Sequence, residues 1–174
     1  AYTKVLNTSL TDFNVTIGNQ KFQSNTTFPS PDEYNATFSK NGWYNKTQRF
    51  NATNNNTFSD VYDHKATFTV EDQFTNNTID NHMITLEYQD YQENKSTTNG
   101  TTTFNLEQNK TYNITITGEQ VETTNANYTA PTNKSDTNTF NVFTTRSALI
   151  NVRDANGRDK INDEDVTVRL QSIS

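Results

Sequence analysis

The stretch Tyr112-Asn113-Ile114-Thr115-Ile116-Thr117 alternates strictly between apolar and polar residues. Successive side chains of an extended chain point to opposite faces, so Tyr112, Ile114 and Ile116 share one side and Asn113, Thr115 and Thr117 the other. One side packs and the other meets water, which predicts a half-buried strand. The polar side also spells Asn-x-Thr, the acceptor sequence for N-linked sugar. Residues two apart in a strand share a face, so whatever exposes the Asn exposes its Thr. The device recurs in Phe13-Asn14-Val15-Thr16-Ile17 and Tyr34-Asn35-Ala36-Thr37-Phe38, and in part in Phe50-Asn51-Ala52-Thr53. The expectation is a β-sheet protein with sugar on its outer face.

Composition agrees with a folded chain. Of 174 residues only 30% are hydrophobic, but aromatics reach 11%, with 3 Pro and 5 Gly. The polarity comes from 27 Asn and 32 Thr. Thr favours strands and Asn favours turns, so folded all-β is expected over disorder. With no cysteine, disulfides, thiolate metal sites and Cys nucleophiles are excluded. A net charge of -6 argues against nucleic acid as a partner. The start at Ala1 and the lack of an 18-residue apolar run lead us to expect a mature, exported, extracellular chain without a membrane span.

Along the chain, turn signals separate ten or eleven short strands. Gly18-Asn19, Pro29-Ser30-Pro31, Asn41-Gly42, Asn76-Asn77, Asn99-Gly100 and Asn109-Lys110 punctuate them. Asn41-Gly42 between Tyr34–Phe38 and Trp43–Ala52 predicts a hairpin. Residues 92–100 read as a polar loop, and 123–137 as a longer one and a possible internal boundary. No helical periodicity is visible, which predicts an immunoglobulin-like antiparallel β-sandwich over 19–174. Residues 148–170 resemble an immunoglobulin-like or transthyretin-like hairpin of microbial surface proteins, with Asp154-Ala155-Asn156-Gly157 as its turn. Residues 1–18 precede this head as an extended strand. Val5, Phe13, Val15 and Ile17 share one parity and Leu10 the other, with a bulge or hinge near 9–12.

Acceptor triplets occur at Asn7, Asn14, Asn25, Asn35, Asn45, Asn51, Asn55, Asn76, Asn94, Asn99, Asn109, Asn113, Asn127 and Asn133. Chance alone would give about six or seven at this composition, against 14 present. None follows Asn133, although five further Asn lie in the C-terminal segment. Covalent N-linked glycans on these residues are therefore expected, and no other cofactor.

Catalytic signals are weak. His64 and His82 are the only histidines, no nucleophile or zinc motif accompanies them, and both read as solvated loop-edge residues. Asp154 to Asp165 breaks the calcium-loop pattern, because Arg158 stands at the fifth position and Asp159 at the sixth. The reading is no enzyme and no metal. Trp43 beside its turn reads as core, with a sugar-stacking platform as the alternative. Lys4 and Lys65 lie in strand-like segments, where a Lys–Asn or Lys–Asp cross-link is conceivable.

Taken together, a cysteine-free, sequon-dense, Asn- and Thr-rich all-β chain resembles the subunits of archaeal surface filaments, in particular the heavily N-glycosylated threads of thermoacidophiles. The long apolar N-terminal helix of type IV pilins is missing. The resemblance implies a homopolymer joined by donor-strand complementation, each subunit's tail completing the sheet of the next, with a role in adhesion, cell–cell contact or biofilm. Val5, Leu10, Phe13, Val15 and Ile17 would then be the donor side chains. The alternative is a glycosylated adhesin or carbohydrate-binding surface module.

Overall fold

A computed structural model describes residues 1–23, 32–51 and 56–145. Among these the strands are β1 (Asn14–Ile17), β2 (Gln20–Gln23), β3 (Glu33–Ser39), β4 (Lys46–Asn51), β5 (His64–Asp72), β6 (His82–Tyr88), β7 (Tyr91–Thr97), β8 (Thr101–Leu106), β9 (Thr111–Gly118), β10 (Val121–Thr129) and β11 (Ser135–Val142). The described residues include no helix. The predicted hairpin at 148–170 and its turn Asp154-Ala155-Asn156-Gly157 lie outside the described residues.

Alternation decides the faces. In β9, Tyr112, Ile114 and Ile116 are at most 1% exposed, whereas Asn113 faces solvent. β5 alternates over its whole length, burying His64, Ala66, Phe68, Val70 and Asp72. Two sheets, ordered β10-β9-β6-β7 and β11-β5-β8, enclose one core. It is built from Phe68, Ile84, Leu86, Phe104, Leu106, Tyr112, Ile114 and Ile116. This is a β-sandwich. Its pairing is antiparallel except for β11, which runs parallel to β5. The wholly antiparallel expectation fails there because the chain leaves β10 in one sheet and enters the other, a crossover instead of a hairpin.

A third sheet, β2-β1-β3-β4, carries its own core. Phe13, Val15, Ala36, Phe38 and Phe50 line one face, and Phe58 and Val61 cover it. Phe58 touches Phe50 and Phe38 with ring centroids 4.6 and 5.9 Å apart. Asn41-Gly42 lies in the connection of the predicted β3–β4 hairpin, with Gly42 at φ 85, but the returning strand starts at Lys46 and not at Trp43.

Two polar stretches expected as loops are strands. Tyr91–Thr97 is β7, and most of 123–137 is divided between β10 and β11, with only 130–134 connecting them. These are edge strands of their sheets. An edge that must not recruit another chain carries charged and polar residues, and this erases the apolar alternation that marks a central strand. No internal boundary falls in 123–137, since β10 and β11 each pair along their length within the sandwich.

Candidate functional site

Twelve of the fourteen acceptor asparagines are described; Asn25 and Asn55 lie outside. Asn7, Asn35, Asn45, Asn51, Asn76, Asn94, Asn99, Asn109, Asn113, Asn127 and Asn133 are exposed, and Asn14 is half-buried. Asn14, Asn35, Asn51, Asn94, Asn113 and Asn127 project from strands, and the others stand in connections. Asn113 and Asn127 are register partners on β9 and β10. Asn7, Asn76 and Asn109 hold φ near 51, 54 and 57, a left-handed conformation that Asn tolerates better than most residues. The acceptors are unevenly placed: β2, β5, β6, β8 and β11 carry none, although Asn99 and Asn133 stand just before β8 and β11.

The N-terminal segment is not left out of its own fold. β1 lies between β2 and β3 of its own chain, with Val15 opposite Phe22 and Phe38. Phe13 and Val15 are buried, and Leu10 and Ile17 pack against the same core. A boundary at residue 18 would cut the β1–β2 turn. Nor are residues 1–10 extended. They double back, with Tyr2 bridged to Ser9, the amide of Leu10 donating to the carbonyl of Ala1 at 2.7 Å and that of Thr3 to Thr8 at 3.0 Å. The reason is that apolar residues of the same parity serve different cores. Val5 at the loop tip enters the sandwich core, while Leu10, Phe13, Val15 and Ile17 serve the small sheet.

This arm fastens one core to the other. Tyr2 and Lys4 donate their amides to Phe58 and Val61, each at 2.8 Å. The amides of Val5 and Leu6 converge on Oε1 of Glu107 at 3.0 and 2.9 Å. Successive amides aimed at one carboxylate oxygen form a small anion nest. Lys4 Nζ reaches both oxygens of Glu93 at 3.0 and 2.9 Å, and Tyr91 donates to Glu93 at 2.5 Å. Burial pushes the Glu93 carboxyl upward, but Lys4 and Tyr91 outweigh it and hold it below its usual value. Sequence reasoning missed Glu93 and Glu107, whose partners lie 89 and 101–102 residues away.

Both histidines are buried, against expectation. His64 ties three elements together: Nε2 lies 2.6 Å from the Tyr128 hydroxyl and 3.0 Å from Asp136, and Nδ1 lies 2.7 Å from the carbonyl of Asn133. Its carboxylate partner is Asp136. Tyr128 donates to Asp136 at 2.8 Å, closing the cluster as a polar staple between β5, β10 and β11. Burial lowers the His82 pKa, and its Nδ1 lies 2.8 Å from the Ile79 carbonyl.

Trp43 packs against the small core as expected. Tyr44 stacks on Tyr62 at 4.9 Å, with Lys65 and Lys134 over its ring at 4.9 and 5.4 Å. Lys4 therefore faces a glutamate and Lys65 an aromatic ring, and neither is paired with an Asn or Asp side chain in these contacts. Among the described residues no group of three His, Cys, Asp or Glu side chains is placed to hold a metal ion, and no helix is long and apolar enough to cross a membrane. Comparison with family models, curated proteins and solved structures returns no match to this chain.

Proposed function

We propose that this chain is a non-catalytic structural subunit of an extracellular filament, coated with N-linked sugar and joined by exchange of its N-terminal arm between copies. The observation that carries the reading is the placement of the acceptors. Of the twelve described, the eleven named above are exposed, and those on strands occupy the solvent side of half-buried sheets. Support for exchange comes from the arm itself. Residues 1–17 fit both cores closely, and a second copy's arm would make the same contacts in the same grooves. Exchange of an identical element therefore costs little beyond opening the hinge. The hinge is a two-residue turn, Gly18-Asn19, with Gly18 at φ 57, and short hinge turns favour swapping. Because each arm passes to a different neighbour, the contact is heterologous and propagates. The immunoglobulin-like character of the head belongs to this proposal too. The adhesin alternative is weakened because Trp43 packs against the small core.

Native material from the producing cell tests the reading. Electron microscopy should show long threads, and mass spectrometry of their protein should find sugar on most acceptors, Asn35 and Asn113 among them. A monomeric, unmodified native protein would refute both halves.

A further inference from the structure

An acceptor triplet fixes a hydroxyl two residues after its Asn, so the transferring enzyme must reach carboxamide and hydroxyl together. In the folded chain several of these hydroxyls are already engaged. Thr37 and Thr47 complete the triplets of Asn35 and Asn45, and their hydroxyls are 2.8 Å apart. Thr129 and Thr111 complete those of Asn127 and Asn109, with hydroxyls 2.9 Å apart. Thr115, of the Asn113 triplet, donates to Oδ1 of Asn125 at 3.0 Å. We propose that the acceptors on paired strands, Asn35, Asn113 and Asn127, receive their sugar before the sheets form, on a chain not yet folded. The inference rests on the sugar coat proposed above.

A hydroxyl can turn away from its partner, but a backbone paired on both sides cannot leave its sheet. β9 pairs with β10 on one side and β6 on the other, and Asn113 stands between Asn127 and Glu87. Directly opposite residues have Cβ atoms about 5 Å apart. The Asn113 carboxamide is therefore approached only from above the sheet, with a neighbour on each side. A cleft that enclosed its triplet would have to part β9 from both partners. Asn127 adds a second obstacle, because sugar on either acceptor of this register pair crowds the other. On an unpaired chain neither difficulty exists. Asn76 is different: it stands in the connection between β5 and β6 with φ 54, and both it and Thr78 are exposed. The folded protein still presents that triplet. The step itself is transfer of a saccharide from a lipid phosphate. The Asn nitrogen bonds to the anomeric carbon, the bond from that carbon to the phosphate oxygen breaks, the phosphate leaves with the electron pair, and one amide proton passes to a base.

Two unglycosylated recombinant chains test the order of events. One is the folded wild type. The other is Leu86→Asp, which puts a charge at a fully buried position, keeps every triplet, and is checked by circular dichroism to be unfolded. Each is incubated with membranes of the producing cell, which hold the transferase and its lipid-linked donor, and sugar is mapped by mass spectrometry. Asn76 serves as the reference within each chain. The ratio of sugar at Asn113 to sugar at Asn76 should be lower in the folded protein by about a hundredfold or more, because a closed site reacts only through its rare open state. Equal ratios in the two chains overturn the inference while leaving the sugar coat in place. Absence of sugar at every site of the unfolded chain refutes the coat, and the inference with it.

Discussion

The amide of Val5 donates to Oε1 of Glu107 at 3.0 Å across 102 residues of sequence. Leu6 donates to the same oxygen at 2.9 Å, so one carboxylate holds the tip of the N-terminal arm against the sandwich. Glu107→Ala leaves two amides without their acceptor and should destabilise the protein by about 2–3 kcal/mol. Glu107→Gln keeps a carbonyl oxygen in place and should cost about 1 kcal/mol. Urea unfolding of the three proteins gives the order, and equal stability of all three would contradict the role of this oxygen.

Acid should loosen the same arm through Glu93. Its carboxyl titrates below the usual range in the folded state, because Lys4 and Tyr91 outweigh burial. The stability it contributes is complete above the unfolded value, about 4.3, and is lost as pH falls through the lower folded one. Asp63 works in the opposite sense: burial raises its pKa, so its protonation favours the folded state as pH falls. Hydrogen exchange of residues 2–6, corrected for intrinsic rate, should show protection falling below about pH 4. In Lys4→Met protection should be lower at neutral pH and the acid step smaller.

His82 sets a second pH dependence, at higher pH. Burial lowers its pKa, and its Nε2 is buried without a hydrogen-bond partner among the described residues. The unfolded chain therefore binds the proton more readily, and stability should fall as pH drops through about 6.5. His82→Phe should remove that component from a plot of unfolding midpoint against pH. An unchanged slope between pH 7 and 5 would show that His82 is not its source.

The half-buried strand at 112–117 allows a paired substitution. Ile114→Asp places an unpaired carboxylate in the core and should prevent folding, a cost above about 4 kcal/mol. Thr115→Val sits on the outer side, loses one bond to Asn125, and should stay within about 0.5 kcal/mol. It also removes the acceptor at Asn113, so native protein should lose one glycan mass. Circular dichroism and mass spectrometry read the two effects separately.

What could be read from sequence follows local physics. Strands with one apolar side, such as 64–72 and 112–117, announce themselves by parity, and Asn41-Gly42 announces its hairpin. The edge strands at 91–97 and 135–142 could not be recognised that way, because their solvent-facing and charged residues carry little apolar pattern. Residues 1–10 show alternation, yet they double back, since Val5 and Leu10 belong to different cores that only the folded chain defines. His64 looked like a solvated loop-edge residue because Tyr128 and Asp136, its partners, are 64 and 72 residues away.

The central claim is that the arm passes between copies in the filament, and the absence of cysteine makes it directly measurable. Ile17 and Ala36 are register partners on β1 and β3, and replacing both by cysteine keeps every acceptor triplet. Filaments of Ile17→Cys/Ala36→Cys should be isolated, oxidised, denatured and run on a gel without reductant. Arm exchange predicts a ladder of covalently joined subunits that collapses to monomer on reduction. A single monomer band whose one disulfide lies within each chain would show that the arm stays at home, and would contradict assembly by exchange.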